Sequence, residues 1–546
     1  MNQRLWRFAA ALSVGALIAA CGGGTGAPGT PGSQPNAPAG TTPSSPAAPT
    51  PGTPGETSGA TTAGGISIGV QPVENTPIAH VAVQPAMFPS PAVTAPTLPA
   101  PPPFTRTWYV SPDGSDTADG SEGAPFQTLG KAITVAGPGE RISVAAGTYA
   151  EDLDVGENAK AGQSGAPITI EGQGSPKLVP GGSGSSVVQI SQPYWILDGF
   201  EIDVQKQPKF GVTFSGDTQG SVLANCDVHD GALGGGVTTS GSAHDVTIEN
   251  NEIHHIWRED QDSHGVVIQP TSKNITLRNN DIHDNSADSI QCIGPEGFSD
   301  LPPADGVTIE NNHLHGSREN AVDIKTCSNV TIRHNRMHDF HPSGYAPHEA
   351  IAVIHMSAKN VTFEGNELFD GGKGISLGGN HDGPVPSGVV IEKNLIHDIA
   401  TAGNQDGTAI RIENSSGAKV LNNTFENVEG PALILGHGTG GATEDLTVEN
   451  NVVDAPTALS LGGEAPGLKM DHNLYRAGAQ FQVPGGDATL AAWQAQSQDT
   501  ASKDVGTPVA DPTAFTPDPA AVDQGADVGL AFCGNAPDEG AVETGC

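Results

Sequence analysis

The feature that most constrains this chain is an internal repeat of 22 to 32 residues. Each unit contains a short run in which β-branched and polar residues alternate, followed by asparagine, as in DVTIENNEIHHI and NITLRNNDIHDN. The recurring asparagines are Asn225, Asn251, Asn280, Asn312, Asn335, Asn366, Asn394, Asn423, Asn451 and Asn473. Repeats of this length are typical of solenoids, because one unit cannot bury its apolar face without its neighbours. We therefore expect one elongated solenoid.

The alternation within each unit indicates short β-strands. In VTIEN the first and third residues point inward, whereas threonine and glutamate point outward. The asparagine suits a tight bend, where it tolerates the left-handed conformation and can hydrogen-bond the asparagine of the next coil. Leucine-rich repeats keep a nearly constant period, and β-propellers need longer antiparallel strands. The variable period predicts an all-β right-handed parallel β-helix of about 10–13 coils with a short N-terminal cap helix.

The composition agrees with a thin core that is rebuilt on every turn. The chain has 72 glycines and 44 prolines, and its hydrophobic content of 36% is below the globular average. The net charge of −37 argues against a nucleic-acid partner, since phosphates require a basic surface. The acidic balance is compatible with Ca²⁺ outside the cell, which is our candidate cofactor. We expect a monomer.

The N-terminal segment indicates export. Arg4 and Arg7 precede the apolar run FAAALSVGALIAA, which is too short for a permanent transmembrane helix. The run ends in LIAAC, which resembles a bacterial lipobox. The resemblance implies that residues 1–20 are a signal peptide, that Cys21 is lipidated, and that the protein is an outer-membrane lipoprotein facing the periplasm or the cell surface. Residues 21–105 are rich in proline, glycine and threonine, which predicts a disordered tether.

Both ends of the repeat array carry candidate caps. After Trp108, the residues Phe126, Leu129, Ile133 and Ala136 fall at helical spacing. The segment resembles the N-terminal cap of extracellular β-helix proteins, including pectate lyases of polysaccharide lyase family nine. We place the β-helix with this cap at residues 106–500. Residues 501–546 contain DEGAVE and resemble a closing segment, which implies that they cap the last coil.

The cysteines divide into two groups. Cys226, Cys292 and Cys327 lie at different points of the repeat, so we expect buried free thiols. Cys533 and Cys546 bracket a short C-terminal loop, and export permits a disulfide between them.

A second strand column precedes the asparagine strands and carries charged residues. Asp323 and Lys325 are two positions apart and face the same side of a strand, either as a solvated ion pair or as a functional pair. The stretch AVDIKTCSNVTIRHN at residues 321–335 resembles the central motif of alginate lyases and chondroitinase B in polysaccharide lyase family six. The resemblance implies that Lys325 is the general base. The family's catalytic arginine lies one coil later, where this chain has Ile354 and His355, which leaves His355 as the acid.

β-Elimination from a uronate needs a base for the C5 proton and a cation that neutralises the carboxylate. Carboxylates could bind Ca²⁺ for the second task. We expect the metal ligands to be Asp288, Asp323 and Asp262.

Three further residues are candidates for substrate binding. Arg411 lies three coils beyond Asp323, roughly 14 Å away at the usual strand spacing. It would hold a carboxylate on a more distant sugar, a role that suits a bidentate guanidinium. Gln291 and Arg258 are the other candidates.

A histidine recurs after the asparagine strand in many repeats. A catalytic role needs one histidine, whereas a recurring column indicates stacking at a turn. We therefore interpret the set as structural: His229, His254, His283, His315, His338 and His397.

These observations lead to two competing functions. The leading hypothesis is an exported polysaccharide lyase that acts on an acidic polysaccharide and meets the membrane only through its lipid anchor. The alternative is a non-catalytic surface lipoprotein that binds glycan or acts as an adhesin. Glycoside hydrolysis is a third option and would need two facing carboxylates at a set separation.

Overall fold

A computed structural model describes most of the chain beyond the predicted tether. The described residues are 103–293, 301–347, 350–379, 384–403, 405–437, 443–463, 465–496 and 498–545. Residues 1–102, with the predicted signal peptide and Cys21, lie outside them, as does Cys546. Lipidation of Cys21 and the outer-membrane location therefore stay predictions. Within the described ranges, no helix combines the length and apolar character needed to cross a bilayer.

The chain winds through three 14-stranded sheets, in which strands of successive coils pair in parallel, apart from one antiparallel pair at the end of one sheet. Sheet 1 consists of β1 (Arg106–Val110), β2 (Glu140–Val144), β5 (Ile168–Gly172), β8 (Trp195–Asp198), β11 (Val222–Ala224), β14 (His244–Glu249), β17 (Lys273–Arg278), β20 (Asp305–Glu310), β23 (Ser328–Arg333), β26 (Lys359–Glu364), β29 (Ser387–Glu392), β32 (Lys419–Leu421), β35 (Thr447–Glu449) and β38 (Lys469–Asp471).

Sheet 2 carries the second strand column of the sequence. It consists of β4 (Leu153–Val155), β7 (Ser186–Ile190), β10 (Phe210–Ser215), β13 (Gly235–Ser240), β16 (His264–Ile268), β19 (Ile290–Cys292), β22 (Val322–Ile324), β25 (Ala352–Ile354), β28 (Ile375–Gly378), β31 (Ile410–Glu413), β34 (Pro431–Leu435), β37 (Thr457–Leu461), β40 (Gln480–Val483) and β41 (Gly486–Ala488). Its last pair, β40 and β41, is antiparallel.

Sheet 3 follows sheet 1 along the chain, and its strands come directly after a buried asparagine in the coils from Asn251 to Asn473. It consists of β3 (Thr148–Ala150), β6 (Lys177–Val179), β9 (Glu201–Asp203), β12 (Asp227–His229), β15 (Glu252–His254), β18 (Asp281–His283), β21 (His313–His315), β24 (Arg336–Phe340), β27 (Glu367–Gly371), β30 (Leu395–Ile399), β33 (Thr424–Val428), β36 (Val452–Val453), β39 (Leu474–Arg476) and β42 (Lys503–Val505). The remaining elements are β43 (Val509–Asp511), β44 (Thr516–Pro517), α1 (Leu129–Val135), α2 (Leu490–Gln494) and a 3₁₀ turn (Pro519–Ala521).

The alternation in the sequence has the predicted consequence. In β14, Val246 and Ile248 are buried while Thr247 between them is partly exposed. Parallel register places the same position of every coil in one column, as for Ile248, Leu277 and Ile309. These columns form one continuous apolar core inside the coils. The predicted fold class, an all-β parallel β-helix, is confirmed.

A ladder of buried asparagines fixes the corner between sheets 1 and 3. The Asn312 Oδ1 accepts hydrogen bonds from the Asn280 backbone N–H at 3.0 Å and from the Asn280 Nδ2 at 2.9 Å. The Asn312 Nδ2 donates to the Leu277 carbonyl at 3.0 Å. The same pattern recurs from coil to coil, so backbone groups at a sharp, dehydrated bend are all satisfied.

The structure corrects the prediction for Asn225. It is Cys226, rather than Asn225, whose N–H donates to the Asn251 Oδ1 and begins the ladder. Asn225 aligns with Asn250, and both adopt a positive φ, of 52° and 55°. One residue cannot both adopt the left-handed conformation of the bend and stack in the ladder. The first of two successive positions therefore forms the bend, and the second forms the ladder.

The N-terminal cap is confirmed. In α1, Leu129, Ala132 and Ile133 are buried against the first coils. The Thr128 side chain accepts a hydrogen bond from the Lys131 N–H, and the Glu151 carboxylate accepts two more from the first turn. These contacts satisfy N–H groups that a helix start leaves open.

The C-terminal end differs from the prediction that residues 501–546 cap the last coil. The β40–β41 hairpin and α2 lie there instead, where the Trp493 ring stacks on Phe481 at 6.0 Å. Residues 503–505 supply the last strand of sheet 3. The chain then turns back along that sheet, since Phe515 contacts His397 at 4.6 Å between ring centroids.

The cysteine predictions need one correction. Cys226 is a buried free thiol, as expected. Cys292 and Cys327 form a disulfide with a Cα–Cα distance of 6.2 Å, so the prediction of free thiols there is wrong. Cys292 ends β19 and Cys327 lies in the turn after β22 on the next coil, which brings them together although they occupy different points of the repeat. Cys533 is disulfide-bonded, while its predicted partner Cys546 lies outside the described residues.

Candidate functional site

The outward face of sheet 2 brings several predicted site residues together. Register stacks Gln291, Asp323 and Val353 on three successive coils. Lys325 and His355 lie two positions beyond Asp323 and Val353, so their side chains emerge from the same face.

Asp323 is the centre of this cluster. Its Oδ1 lies 2.9 Å from the His355 Nε2, and its Oδ2 lies 3.7 Å from the Lys325 Nζ. The Gln291 Nε2 donates to the same Oδ2 at 3.3 Å. The Asp323 carboxylate therefore lies between two basic side chains.

A second buried carboxylate extends the network by one coil. The Gln291 Nε2 also lies 3.1 Å from the Asp288 Oδ2, so this amide bridges Asp288 and Asp323. The Asp288 Oδ2 is 3.0 Å from the His264 Nδ1. The Asp288 Oδ1 accepts a hydrogen bond from the Asn320 N–H at 3.2 Å. Sequence analysis missed His264 and Asn320, because nothing in their local sequence shows that they meet Asp288.

The exposure of these groups decides what a ligand would meet. The side chains of Lys325 and His355 are 12% and 21% exposed, whereas Asp288 is fully buried. Gln291 is also buried, so its side chain holds the two carboxylates in place rather than contacting a ligand. The accessible part of the cluster is thus basic, on a chain with only 24 lysines and arginines against 61 acidic residues.

The pKa shifts reflect burial and neighbouring charge. Burial raises the pKa of the Asp323 carboxyl, but the charges of His355 and Lys325 outweigh it and hold this pKa well below its usual range. Burial lowers the pKa of His264 from 6.5 to about 4. The cluster therefore contains an ionised carboxylate and a neutral, buried imidazole at neutral pH.

The shift at His264 predicts a loss of stability in acid. The unfolded chain binds a proton at the ordinary histidine pKa of 6.5, whereas the folded protein resists protonation down to about pH 4. Stability should therefore fall as pH drops through this window, by about 3 kcal/mol at most from this one group. Urea denaturation at a series of pH values would measure it.

The His264→Gln variant provides the comparison. Its stability should depend less steeply on pH between 6.5 and 4, because the titrating imidazole is gone. His283 has the opposite effect, because its pKa is raised to about 9 and its protonation stabilises the folded protein at lower pH. This contribution is present in both proteins, so it cancels when their stabilities are compared. Equal slopes in the two proteins would contradict the role given to His264.

The predicted calcium ligands do not converge on an oxygen cage. The Asp262 Oδ1 accepts a hydrogen bond from the Tyr345 hydroxyl at 2.9 Å. A Ca²⁺ ion on Asp323 would lie beside the Lys325 ammonium, which repels it. Calcium prefers six to eight oxygen ligands, and this donor set is rich in basic and amide nitrogens. The calcium site stays a prediction.

Arg411 lies on the predicted face, three coils from Asp323. Its guanidinium is already engaged. The Nη1 contacts the Asp406 carboxylate and the Nη2 contacts the Glu413 carboxylate, each at 2.6 Å. A substrate carboxylate would have to displace one of these partners.

An aromatic shelf borders the site, formed by Trp257, Arg318 and Tyr345. Trp257 and Tyr345 are 43% and 41% exposed, unusual for such large rings. The Arg318 guanidinium lies 3.9 Å from the Tyr345 ring centroid and 5.3 Å from that of Trp257. Arg258, the predicted substrate-binding residue of this region, instead donates to Ser263 and Gln261 of its own loop. The signal in the sequence that could have predicted this shelf is the presence of aromatic residues in the loops that precede strands of sheet 2.

The histidine column lies on sheet 3, away from this cluster. His254 stacks on His283 at 5.1 Å and His283 on His315 at 4.8 Å. Phe369 takes the position between His338 and His397. The predicted stacking is confirmed.

Comparisons with known proteins support the fold. The family model described as "Pel9A-like, right handed beta helix region" matches residues 108–316, and the one described as "Right handed beta helix region" matches residues 300–453. The handedness predicted from the repeat is thereby confirmed.

Individual relatives are distant. The uncharacterized protein YwoF of Bacillus subtilis (strain 168) is 22% identical over 393 residues, which cover 67% of this chain and 79% of YwoF. Pectate lyase Pel9A is 20% identical with a TM-score of 0.43, covering 81% of this chain and 96% of that one. A mannuronic acid specific family 6 lyase from human gut microbiota is 15% identical with a TM-score of 0.47, covering 73% of this chain and 91% of that one.

Proposed function

We propose that the sheet 2 face around Asp323 cleaves an acidic polysaccharide by β-elimination. The observation that carries this proposal is the partly exposed pair of Lys325 and His355 on either side of the buried Asp323 carboxylate. The pair offers a cation and a proton-transfer group within reach of one bound sugar, on a protein whose net charge of −37 otherwise repels acidic polymers.

Two further observations support a polymeric substrate. Sheet 2 continues from coil to coil along the helix axis, so successive sugars of a bound chain can lie over successive coils. The aromatic shelf next to it presents exposed rings and a guanidinium, which suit the apolar faces and carboxylates of sugars. The match of residues 108–316 to the Pel9A-like family model also supports a protein that acts on a polysaccharide.

The geometry gives a reason to exchange the two roles expected from the sequence. Lys325 as base must lose its proton, but the Asp323 carboxylate 3.7 Å away stabilises the ammonium form. His355 lies 2.9 Å from the same carboxylate, which orients the imidazole as a carboxylate does in other proton-transfer pairs. Histidine is also the side chain that changes protonation near neutral pH. We therefore assign proton transfer to His355 and charge neutralisation to Lys325.

The reaction then proceeds as follows. The Lys325 ammonium pairs with the uronate carboxylate and acidifies the C5 proton. The neutral form of the His355 imidazole takes this proton on Nδ1 as the C5–H bond breaks, while its Nε2–H stays on the Asp323 carboxylate. The released electron pair forms the C4=C5 double bond while the C4–O4 bond breaks, and the departing O4 oxygen receives a proton from the imidazolium or water. The products are a new chain end and an unsaturated uronate.

The test is a screen of the purified full-length protein on alginate, pectate and glycosaminoglycans, following the ultraviolet absorbance of the unsaturated product. We expect absorbance to rise on at least one of these acidic polymers. Parallel reactions with EDTA test the calcium prediction separately.

Two outcomes would contradict the proposal. Binding without any product would favour the alternative of a glycan-binding or adhesin-like protein. New reducing ends without unsaturated product would indicate hydrolysis.

A further inference from the structure

A group of metal-type ligands lies on sheet 3, away from the proposed glycan site. Asp281 is on β18, and His313 and His315 are on β21 of the next coil. The Asp281 Oδ1 lies 3.2 Å from the His313 Nδ1 and 3.0 Å from the His315 Nε2. The three ligand atoms all lie within 4.8 Å of one another. An ion with ligand bonds of about 2.0–2.1 Å fits such separations.

The strands explain why these atoms meet. His313 and His315 are two positions apart on one strand, so both point outward from the same face. Register places Asp281 directly beside His313. The three side chains are between 17% and 24% exposed, so an ion could enter from solvent.

A fourth residue supports His313 in the way that outer-shell partners support metal ligands. The His338 Nε2 lies 2.8 Å from the His313 Nε2, so the two rings share one proton between these atoms. When His313 donates that proton, its Nδ1 carries the lone pair and faces Asp281 and His315. Metal-binding histidines characteristically donate their other ring N–H to a neighbour, which fixes the tautomer.

The other candidate clusters are less suitable. Within the described residues, three more groups of ligand atoms come equally close together, and each contains one imidazole and two carboxylates. They are Asp203–His229–Asp230, Asp339–His341–Asp370 and His397–Asp398–Glu426. The Asp281 group has two imidazoles, which first-row transition metals prefer.

We propose that Asp281, His313 and His315 bind a divalent transition-metal ion of the Zn²⁺ or Co²⁺ type. The three protein ligands leave a coordination position for water or another ligand. The ion would link two adjacent coils of sheet 3. This site is independent of the proposed polysaccharide cleavage, because it lies on a different sheet and uses none of the same residues.

The experiment is a Co²⁺ titration of the full-length protein, purified with a tag that contains no histidine. We expect saturation at one equivalent with visible absorption bands of the bound ion, and Zn²⁺ should displace the Co²⁺. The Asp281→Asn and His315→Gln variants should each lose at least tenfold in affinity. The matched control is His244→Gln on sheet 1, which should bind as the unmodified protein does.

A further variant separates metal binding from folding. His338→Phe keeps an aromatic ring in the stacked column, as Phe369 does one coil later, but removes the partner of the His313 Nε2. It should keep one-to-one binding with an affinity lowered by roughly 10–100-fold. Equal affinity in the control and in both ligand variants, or no saturable binding of Co²⁺ at micromolar protein, would overturn the proposal.

Discussion

The Lys325→Met variant should lose roughly 10²–10³-fold in turnover on the polysaccharide that the protein cleaves. Methionine keeps most of the volume of the side chain but removes the ammonium that faces a substrate carboxylate. The C5 proton of the uronate then stays weakly acidic, and the barrier to its removal rises. The measurement is the initial rate of unsaturated product, with the denaturation midpoint as a check on folding.

A second substitution at the same position tells the two possible roles apart. Lys325→Arg keeps the positive charge but cannot act as a base, since arginine does not lose its proton in proteins. If Lys325 neutralises charge, the turnover of the arginine variant should be clearly higher than that of the methionine variant. If Lys325 is the base, both should be equally inactive. Lys359→Met, at an exposed position on sheet 1, is the control and should keep full turnover.

The second large effect concerns stability. Asn312→Ala should lower the free energy of unfolding by about 3 kcal/mol, because it leaves the Asn280 N–H and the Leu277 carbonyl buried without their partners. The site is nearly fully buried, so water cannot replace the lost hydrogen bonds easily. Thermal or urea denaturation followed by circular dichroism would measure the change.

The neighbouring residue offers a matched control. Asn311 is exposed and has a φ of 55°, a conformation that glycine adopts without strain. Asn311→Gly should therefore change stability by less than about 1 kcal/mol. If the two substitutions had the same effect, the buried ladder would not be the source of the stability.

Much of the fold could be predicted because its determinants are local. Period-2 alternation in segments such as VTIEN decides which side chains point inward, and the length of the repeat decides that coils must stack. The helical spacing of Leu129 and Ile133 similarly predicted α1. The asparagine repeat predicted the bend, although the bend and the ladder use adjacent positions, as Asn225 and Cys226 show.

The candidate site was predictable only in part. Asp323 and Lys325 share one strand, so their proximity follows from a spacing of two. The approach of His355 to Asp323 depends on the register of the next coil. His264 and Asn320 were missed because they reach Asp288 across coil boundaries, and the loops that set these boundaries vary in length.

The sequence by itself determined the parallel β-helix, its cap helix and the strand that carries Asp323 and Lys325, because alternation and spacing act within a few residues. Only the tertiary structure decided which coils place their side chains together. The Cys292–Cys327 disulfide, the bridging amide of Gln291 and the meeting of Asp281 with His313 and His315 all depend on register between coils. That register is fixed by stacking and by the asparagine ladder, over distances along the chain that no local pattern spans.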